Sequence, residues 1–320
     1  MPISVMEPNY LNKVVLTSAP KNCSNTDIIK AVERALDKLN FDFSEKIENV
    51  VIKPNLCYYW DYSTGETTDP RVVSAVIDYV RKSLGEDVKI VIAEADASAM
   101  KTNYSFKVLG YEKLAAEKNV GLMNLSYGEI MEKKVKVKDV ELTLPINKVL
   151  LDADLIINMP KIKTHNIVGI TCALKNMFGA IAKPRKYAYH NMLSQVIVGA
   201  NKIVRSDIIV VDGIIVRGSS PKKLGIVLAG NNPLTTDFIA AEIMGFNPKK
   251  VEYLDIAEKE GIGSAESIEL VEDCADFEQV KKVFPSHNYF LHKFLWKLQL
   301  KMLNAYATVV GDVIPPVLKQ

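Results

Sequence analysis

Short runs of β-branched residues alternate along this chain with stretches of helical periodicity. Val50-Val51-Ile52, Val88-Lys89-Ile90-Val91-Ile92, Leu155-Ile156-Ile157, Ile208-Ile209-Val210-Val211 and Gly225-Ile226-Val227-Leu228 are mostly continuous apolar runs, as expected of strands buried on both faces of a mainly parallel sheet. Between the first two, Asp69 is placed to cap a helix and Pro70 suits its first turn. Val72, Val73, Val76, Ile77 and Val80 then form an apolar face that Gly85 ends. A β-helix-β unit of this size implies a right-handed parallel crossover.

The same reading predicts a second helix over 105–118, and a half-exposed hairpin over 132–144 from the alternation of Val135, Val137, Val140, Leu142 and Leu144. A third helix is expected to open near Thr235 and run to Gly245, and the charged stretch 249–283 to wrap the core. The expected fold class is α/β, a mainly parallel open sheet with helices on both faces, over residues 1–283, with room for two lobes and a cleft between them. Residues 284–320 differ in character. Leu291, Phe294, Leu295, Leu298 and Met302 share one helical face, and Lys293, Lys297 and Lys301 line a neighbouring one. This amphipathic pattern suits a helix docked on its own domain, on a second copy or on a partner, or a basic helix at an anionic membrane surface.

Composition narrows the function classes. The chain of 320 residues is 48% hydrophobic with a net charge of only +2, which argues against a dedicated nucleic-acid binder. Its four cysteines, Cys23, Cys57, Cys172 and Cys274, have neither metal-cluster nor disulfide-framework spacing, so no iron–sulfur cluster is expected and the thiols read as free in a reducing compartment. Without a basic-then-apolar start or a run of about 20 apolar residues, a cytoplasmic protein is the default expectation.

In parallel sheets ligands bind beyond the carboxyl ends of strands, and those ends are polar here. Lys53-Pro-Asn55 follows the first run, Glu94, Asp96 and Ser98 the second, Asn158 through His165 the third, Asp212-Gly213 the fourth and Gly230-Asn-Asn232 the fifth. Lys53 either snorkels to solvent or holds a carboxylate or phosphate, and Glu94 and Asp96 are open to metal, proton or lysine. The densest group runs from Asn158 to His190. Lys161 and Lys163 alternate and so point to one side of an extended segment. His165, Lys175, Asn176 and His190 follow, with the basic stretch Lys183-Pro-Arg185-Lys186 between. A solvated basic loop is the simpler reading, and a site for a small anionic ligand the sharper one. Phosphate-loop, dinucleotide, nucleophile-elbow and zincin motifs are all missing.

The motifs Val51-Ile-Lys-Pro-Asn-Leu56, Thr68-Asp-Pro70, Ala153-Asp-Leu-Ile-Ile-Asn-Met-Pro-Lys-Ile-Lys-Thr-His165, Thr171-Cys-Ala-Leu-Lys-Asn-Met-Phe-Gly179, Val211-Asp-Gly213 and Ala229-Gly-Asn-Asn through Asp237 resemble the family called domain of unknown function 362, over roughly residues 47 to 265. Many of its members also carry a ferredoxin-like cluster domain whose cysteines this chain lacks, so an electron-transfer role does not carry over. The order His165, Gly169, Thr171, Lys175, Gly179, His190 also looks like the central stretch of the nickel-dependent lactate racemases. That resemblance implies a proton- or hydride-moving His165, a Lys175 holding a nickel-pincer nucleotide covalently, and a nickel-ligating His190. It departs where that family has a second catalytic histidine, here Glu94-Ala-Asp96-Ala-Ser98, and where its nucleotide-binding aspartate–arginine is Lys53-Pro-Asn55.

Two expectations follow. One is a racemase-like, isomerase-like or redox-associated enzyme. Lys53, Asn55, Asp96, Lys161, Lys163, Asn176 and Asp212 would bind an anionic substrate or cofactor, His165, Lys175 and His190 would act on it, and a divalent metal, if any, would sit on His190. The other is a non-catalytic accessory protein that carries a cofactor or docks on a partner.

Overall fold

The structure is a computed structural model; it describes residues 12–20, 23–98 and 100–285, the side chains of Tyr187 and His190 excepted. In chain order the strands are β1 (Lys13–Ser18), β2 (Asn49–Pro54), β3 (Lys89–Glu94), β4 (Gly121–Asn124), β5 (Ile130–Val137), β6 (Val140–Asn147), β7 (Leu155–Met159), β8 (Lys161–His165), β9 (Gly169–Thr171), β10 (Ile208–Arg217), β11 (Pro221–Gly230) and β12 (Glu269–Asp273). The helices are α1 (Asn25–Leu39), α2 (Pro70–Leu84), α3 (Thr102–Val108), α4 (Tyr111–Lys118), α5 (Lys148–Leu151), α6 (Ala173–Asn176), α7 (Leu193–Ile203), α8 (Pro233–Ile243), α9 (Glu252–Lys259) and α10 (Phe277–Val283). Ten strands form one sheet in the order β12-β1-β11-β10-β7-β2-β3-β4, with β8 and β9 continuing from β10. Pairing is parallel from β10 to β4 and between β12 and β1, while β11 runs antiparallel to both its neighbours.

Strand side chains alternate between two cores, as a period of two requires. Val51, Ile156, Ile209, Val211 and Leu228 face α7, α8 and α9, whereas Val50, Ile52, Leu155, Ile157, Val210 and Val227 face α1, α2 and α4. Helices therefore cover both faces, and the fold is α/β. Helix α2 matches its sequence signals: Asp69 accepts from the Arg71 N–H, and Gly85 ends it at φ +95°.

Three expectations are corrected. The helix expected over 105–118 is two helices, α3 and α4, because Gly110 turns left-handed at φ +82° and breaks the first one. The segment 249–283 does more than wrap the core, since β12 adds an edge strand to β1. The fifth polar strand end belongs to the opposite side of the sheet. Because β11 is antiparallel, Gly230 pairs with Ile209 at the start of β10, and Asn232 caps α8 by accepting from Leu234 and Thr235 N–H. The expected C-terminal amphipathic helix lies outside the described residues.

Candidate functional site

The site is built on the carboxyl ends of β2, β3 and β7 and on the middle of β10. Strand β7 stops at Pro160, which has no N–H to offer, and the chain resumes as β8. The ten-residue β10 is long enough to pair with both: Ile208 and Ile209 with β7, Asp212 and Arg217 with β8. The Asp212 N–H donates to Pro160 O at 2.9 Å across the break. Strand β8 therefore projects past the end of the parallel sheet, with Ile162 in the core and Lys161 and Lys163 on its other side.

The lysines of this floor are paired internally. Lys53 is fully buried and donates to Glu94 Oε2 at 2.7 Å and to Pro54 O at 2.9 Å. Burial pulls its ammonium below the ordinary lysine value, with Glu94 opposing. Lys161 and Asp212, both fully buried, meet at 2.7 Å. Asp212 Oδ2 also accepts from the Asp69 N–H at 2.7 Å, and Arg71 holds the Asp69 carboxylate at 2.6 Å. Lys163 donates to Glu66 O at 2.8 Å and to Glu66 Oε2 at 3.2 Å. Burial works against this ammonium, but the Cys57 thiol and Glu66 hold it above its ordinary value. Lys163 thus meets the loop 66–69 directly at Glu66, whereas Lys161 is linked to it only through Asp212, which accepts from the Asp69 N–H.

Over this floor lies the segment from Cys172 to Lys186. Its short helix α6 is fixed from several directions. Asp237 accepts from Ala173 N–H at 2.6 Å and Leu174 N–H at 3.1 Å. Asn158 donates to Ala173 O at 2.9 Å, and Asn201 to Leu174 O at 2.8 Å. Asn176 donates to Asn158 Oδ1 at 2.8 Å and to Lys53 O at 3.1 Å. Gly179 lies directly on the Lys53–Glu94 pair: a Cβ there would sit 2.7 Å from Lys53 Nζ and 2.8 Å from Glu94 Oε1, so only glycine fits.

The amines of this cover differ from those of the floor. Half-buried Lys175 points its Nζ at the Phe178 ring, 4.5 Å from the centroid. Buried Lys186 donates to Gly179 O at 3.1 Å. Neither meets a carboxylate within 4 Å among the described residues. Burial pulls Lys175 down to about 8, with Lys163 adding to the effect, and pulls Lys186 down to about 7 against the attraction of Glu94. Two acceptors nearby, Asn55 Oδ1 and Asn176 Oδ1, are buried without a hydrogen-bond partner. Asp237 is the reverse case: a fully buried carboxylate raised by desolvation to about 7 despite its two backbone donors.

The remaining predicted residues fall into different roles. Asp96 is tied to its own loop, accepting from Thr102 N–H at 2.8 Å, Asn124 Nδ2 at 2.9 Å and Lys101 Nζ at 3.2 Å. His165 ends β8, and its Nδ1 accepts from the Ile167 N–H at 3.1 Å in the turn to β9. That bond places the imidazole proton on Nε2 in the neutral ring. His190 belongs to the 3-10 turn Lys186–Met192, and its side chain lies outside the described residues. No group of three or more His, Cys, Asp or Glu side chains converges as metal ligands among the described residues. A groove of about 410 Å³ lined by Arg81, Glu86, Lys89 and Asn119 opens at the start of β3 and β4, the end of the sheet away from these residues.

A family described as a domain of unknown function, DUF362, matches residues 50–242. The chain belongs to this family. The DUF362 span runs from β2 into α8 and so takes in both floor and cover. A thylakoid-associated protein of Synechocystis sp. is 23% identical over 234 residues, covering 69% of this chain and 70% of that protein. Among solved structures, the lactate racemase apoprotein of Thermoanaerobacterium thermosaccharolyticum aligns with a TM-score of 0.43 and 15% identity over 73% of this chain; the aligned part is 58% of that chain. No helix among the described residues is long and apolar enough to cross a membrane.

Within the DUF362 span, sequence reasoning passed over three residues that shape the site. Lys186 stood in the basic stretch but was not assigned to the site, since nothing local shows that the cover folds back onto Glu94. Glu66 lies in an irregular loop whose path only tertiary structure reveals. Asp237 lies one turn into α8, and only the packing of that helix shows that its carboxylate meets the free N–H groups at the start of α6.

Proposed function

We propose that the cleft between floor and cover binds a small anionic ligand, a carboxylate or phosphate, with Lys175 and Lys186 as its cations. The observation that carries this reading is the contrast in pairing. Lys53, Lys161 and Lys163 are each neutralised by a carboxylate within 3.2 Å, so they frame the site and are not free to hold an anion. Lys175 and Lys186 are desolvated without one, and desolvation of an unpaired charge is a standing cost that an anion removes. The unpartnered Asn55 and Asn176 oxygens add acceptors for a hydroxyl or protonated acid on the same ligand.

In an enzymatic version the Lys175 amine, with its lowered pKa, is the reactive group, a proton acceptor or nucleophile at neutral pH. Asp237, Asn158 and Asn201 position it through α6. The donor set among the described residues does not fit a divalent metal, so no step is routed through one. A cofactor fixed to Lys175 would be consistent with that amine's lack of an ionic partner. His165 supports a second reading, a non-catalytic binding protein, because its Nδ1 already serves the β8–β9 turn.

The test is calorimetric titration of the full chain with inorganic phosphate and with acetate, beside Lys175→Met and Lys186→Met. Binding to the parent that falls at least tenfold in both variants supports the site. Binding unchanged in both removes it.

A further inference from the structure

The hairpin of β5 and β6 stands apart from the large sheet. One face lies on α7, where Val135, Leu142 and Leu144 surround Gly199. The other face carries Ile130, Glu132, Lys134 and Lys136, all exposed. On its outer side β6 meets the chain again, through Ala182 N–H to Pro145 O at 2.8 Å and a bridge between Ile146 and Ile181. Strand β5 pairs with β6 and with no other strand among the described residues.

The pairing decides which backbone groups of β5 face outward. Glu129 O accepts from Lys148 N–H at 2.9 Å, and antiparallel strands alternate bonded and non-bonded positions. The odd-numbered residues of β5 therefore bond β6, and the even-numbered ones point away from it. Lys136 fits that phase, because its O accepts from Lys202 Nζ of α7 at 2.9 Å. The N–H and C=O groups of Ile130, Glu132 and Lys134 meet no partner among the described residues.

An open edge is a template for another strand. Two other edges suit a second copy less well. Strand β4 is four residues long, and β12 carries Glu269, Glu272 and Asp273 without a lysine, so copies of it repel. Strand β5 reads Ile130-Met-Glu-Lys-Lys-Val-Lys-Val137. Lysines often guard an open edge, but here Glu132 and Lys134 lie on either side of Lys133. Set antiparallel to its own copy about Lys133, the strand brings Glu132 opposite Lys134 twice over, at the positions whose backbone groups are free. Met131 then faces Val135, and Ile130 faces the stem of Lys136. Ile130 and Met131 are each 40% exposed, and Tyr127 shortly before them is 56% exposed, so apolar surface lies at the same edge. The two Lys133 side chains meet on the axis and oppose the contact.

We propose that β5 pairs edge to edge with β5 of a second copy of this chain in that register, making a continuous β6-β5-β5-β6 sheet across a two-fold axis. The interface is self-complementary, as a two-fold contact must be. It stands apart from the anion-site reading and does not depend on it.

The experiment is analytical ultracentrifugation of the full chain over a range of protein concentrations. The parent is compared with Glu132→Lys, Lys134→Glu, the double variant carrying both, and Lys133→Met. The parent is expected to dimerise reversibly. Each single reversal sets like charges opposite each other on both sides of the axis and should raise the dissociation constant by about tenfold. The double variant exchanges the two signs and should restore the parent's dimer, an outcome that general damage to the hairpin would not give. Lys133→Met should tighten the dimer. A parent that stays monomeric at every concentration would overturn the proposal. So would a dimer that the single reversals leave unchanged, or one that the double variant fails to restore.

Discussion

The floor and the cover of the candidate site solve the same problem, lysines taken out of water, in opposite ways. On the floor each ammonium has its own carboxylate, and the pairs join strands distant in sequence: Lys53 of β2 with Glu94 of β3, Lys161 of β8 with Asp212 of β10. On the cover, Lys175 and Lys186 have an aromatic face and a carbonyl instead. The difference separates charges neutralised inside the fold from charges that are desolvated without a counter-charge. Buried pairs are weak contributors as pairs, but removing one member strands the other in a dry site.

That comparison can be broken by mutation. The largest effect is expected on the floor. Asp212→Ala or Glu94→Ala leaves a fully buried lysine unpaired and should cost about 3–5 kcal/mol in denaturant unfolding; a loss under 1 kcal/mol would mean that the pairs do not fix the fold. Next comes the contact between the layers. Gly179→Ala sets a methyl against Lys53 and Glu94 and should cost about 1–3 kcal/mol, together with anion binding. On the cover the sign should reverse. Lys175→Met and Lys186→Met remove desolvated amines without stranding a charged partner, only the Gly179 carbonyl in the second case, so both should unfold within about 1 kcal/mol of the parent or later. Either variant losing as much as Asp212→Ala would erase the distinction.

The last effect is a shape in pH. Asp237, ordinarily near 3.8, is raised to about 7. Between those values the native chain keeps a proton that the unfolded chain has lost, so this group's contribution falls as pH rises from about 4 to about 7. Lys175 and Lys186, ordinarily near 10.5, are lowered to about 8 and about 7. There the unfolded chain holds the extra protons, so stability rises with pH from about 7 to about 10.5. Together they predict a minimum near neutrality in chemical unfolding followed against pH. Its alkaline limb should flatten in Lys186→Met, and anion affinity should fall as pH rises through 7 to 8. An unchanged alkaline limb in that variant would remove the lysines as its cause.

Much of this arrangement was legible in the chain. The strands β2, β3, β7, β10 and the inner half of β11, and the whole of α2, follow from local pattern, because apolar runs and caps act over a few residues. So does the side of β8 that carries Lys161 and Lys163. What stayed hidden is relational. Nothing within the sequence near Lys53 says that its counter-charge is Glu94 rather than a ligand. The antiparallel course of β11, which puts Asn231 and Asn232 at the other end of the sheet, depends on the hairpin that follows Arg217 rather than on the strand's own residues. Lys186, bonded to the Gly179 carbonyl, comes near Lys53 and Glu94 because Gly179 lets the cover settle on the floor.

The placement of β1 has a consequence for how this molecule comes into being. It is the first described strand, yet its partners are β11 and β12, with Val14 opposite Gly230 on one side and Leu270 on the other. Contacts so far apart in sequence form slowly, since a long loop must close first. During synthesis β1 therefore emerges well before either neighbour exists; Val15 faces α1, which follows at once, but Val14 and Leu16 face the other core and stay uncovered until most of the chain has been made. The half-made protein is exposed to aggregation for that interval, which pairing with β11 and then β12 ends.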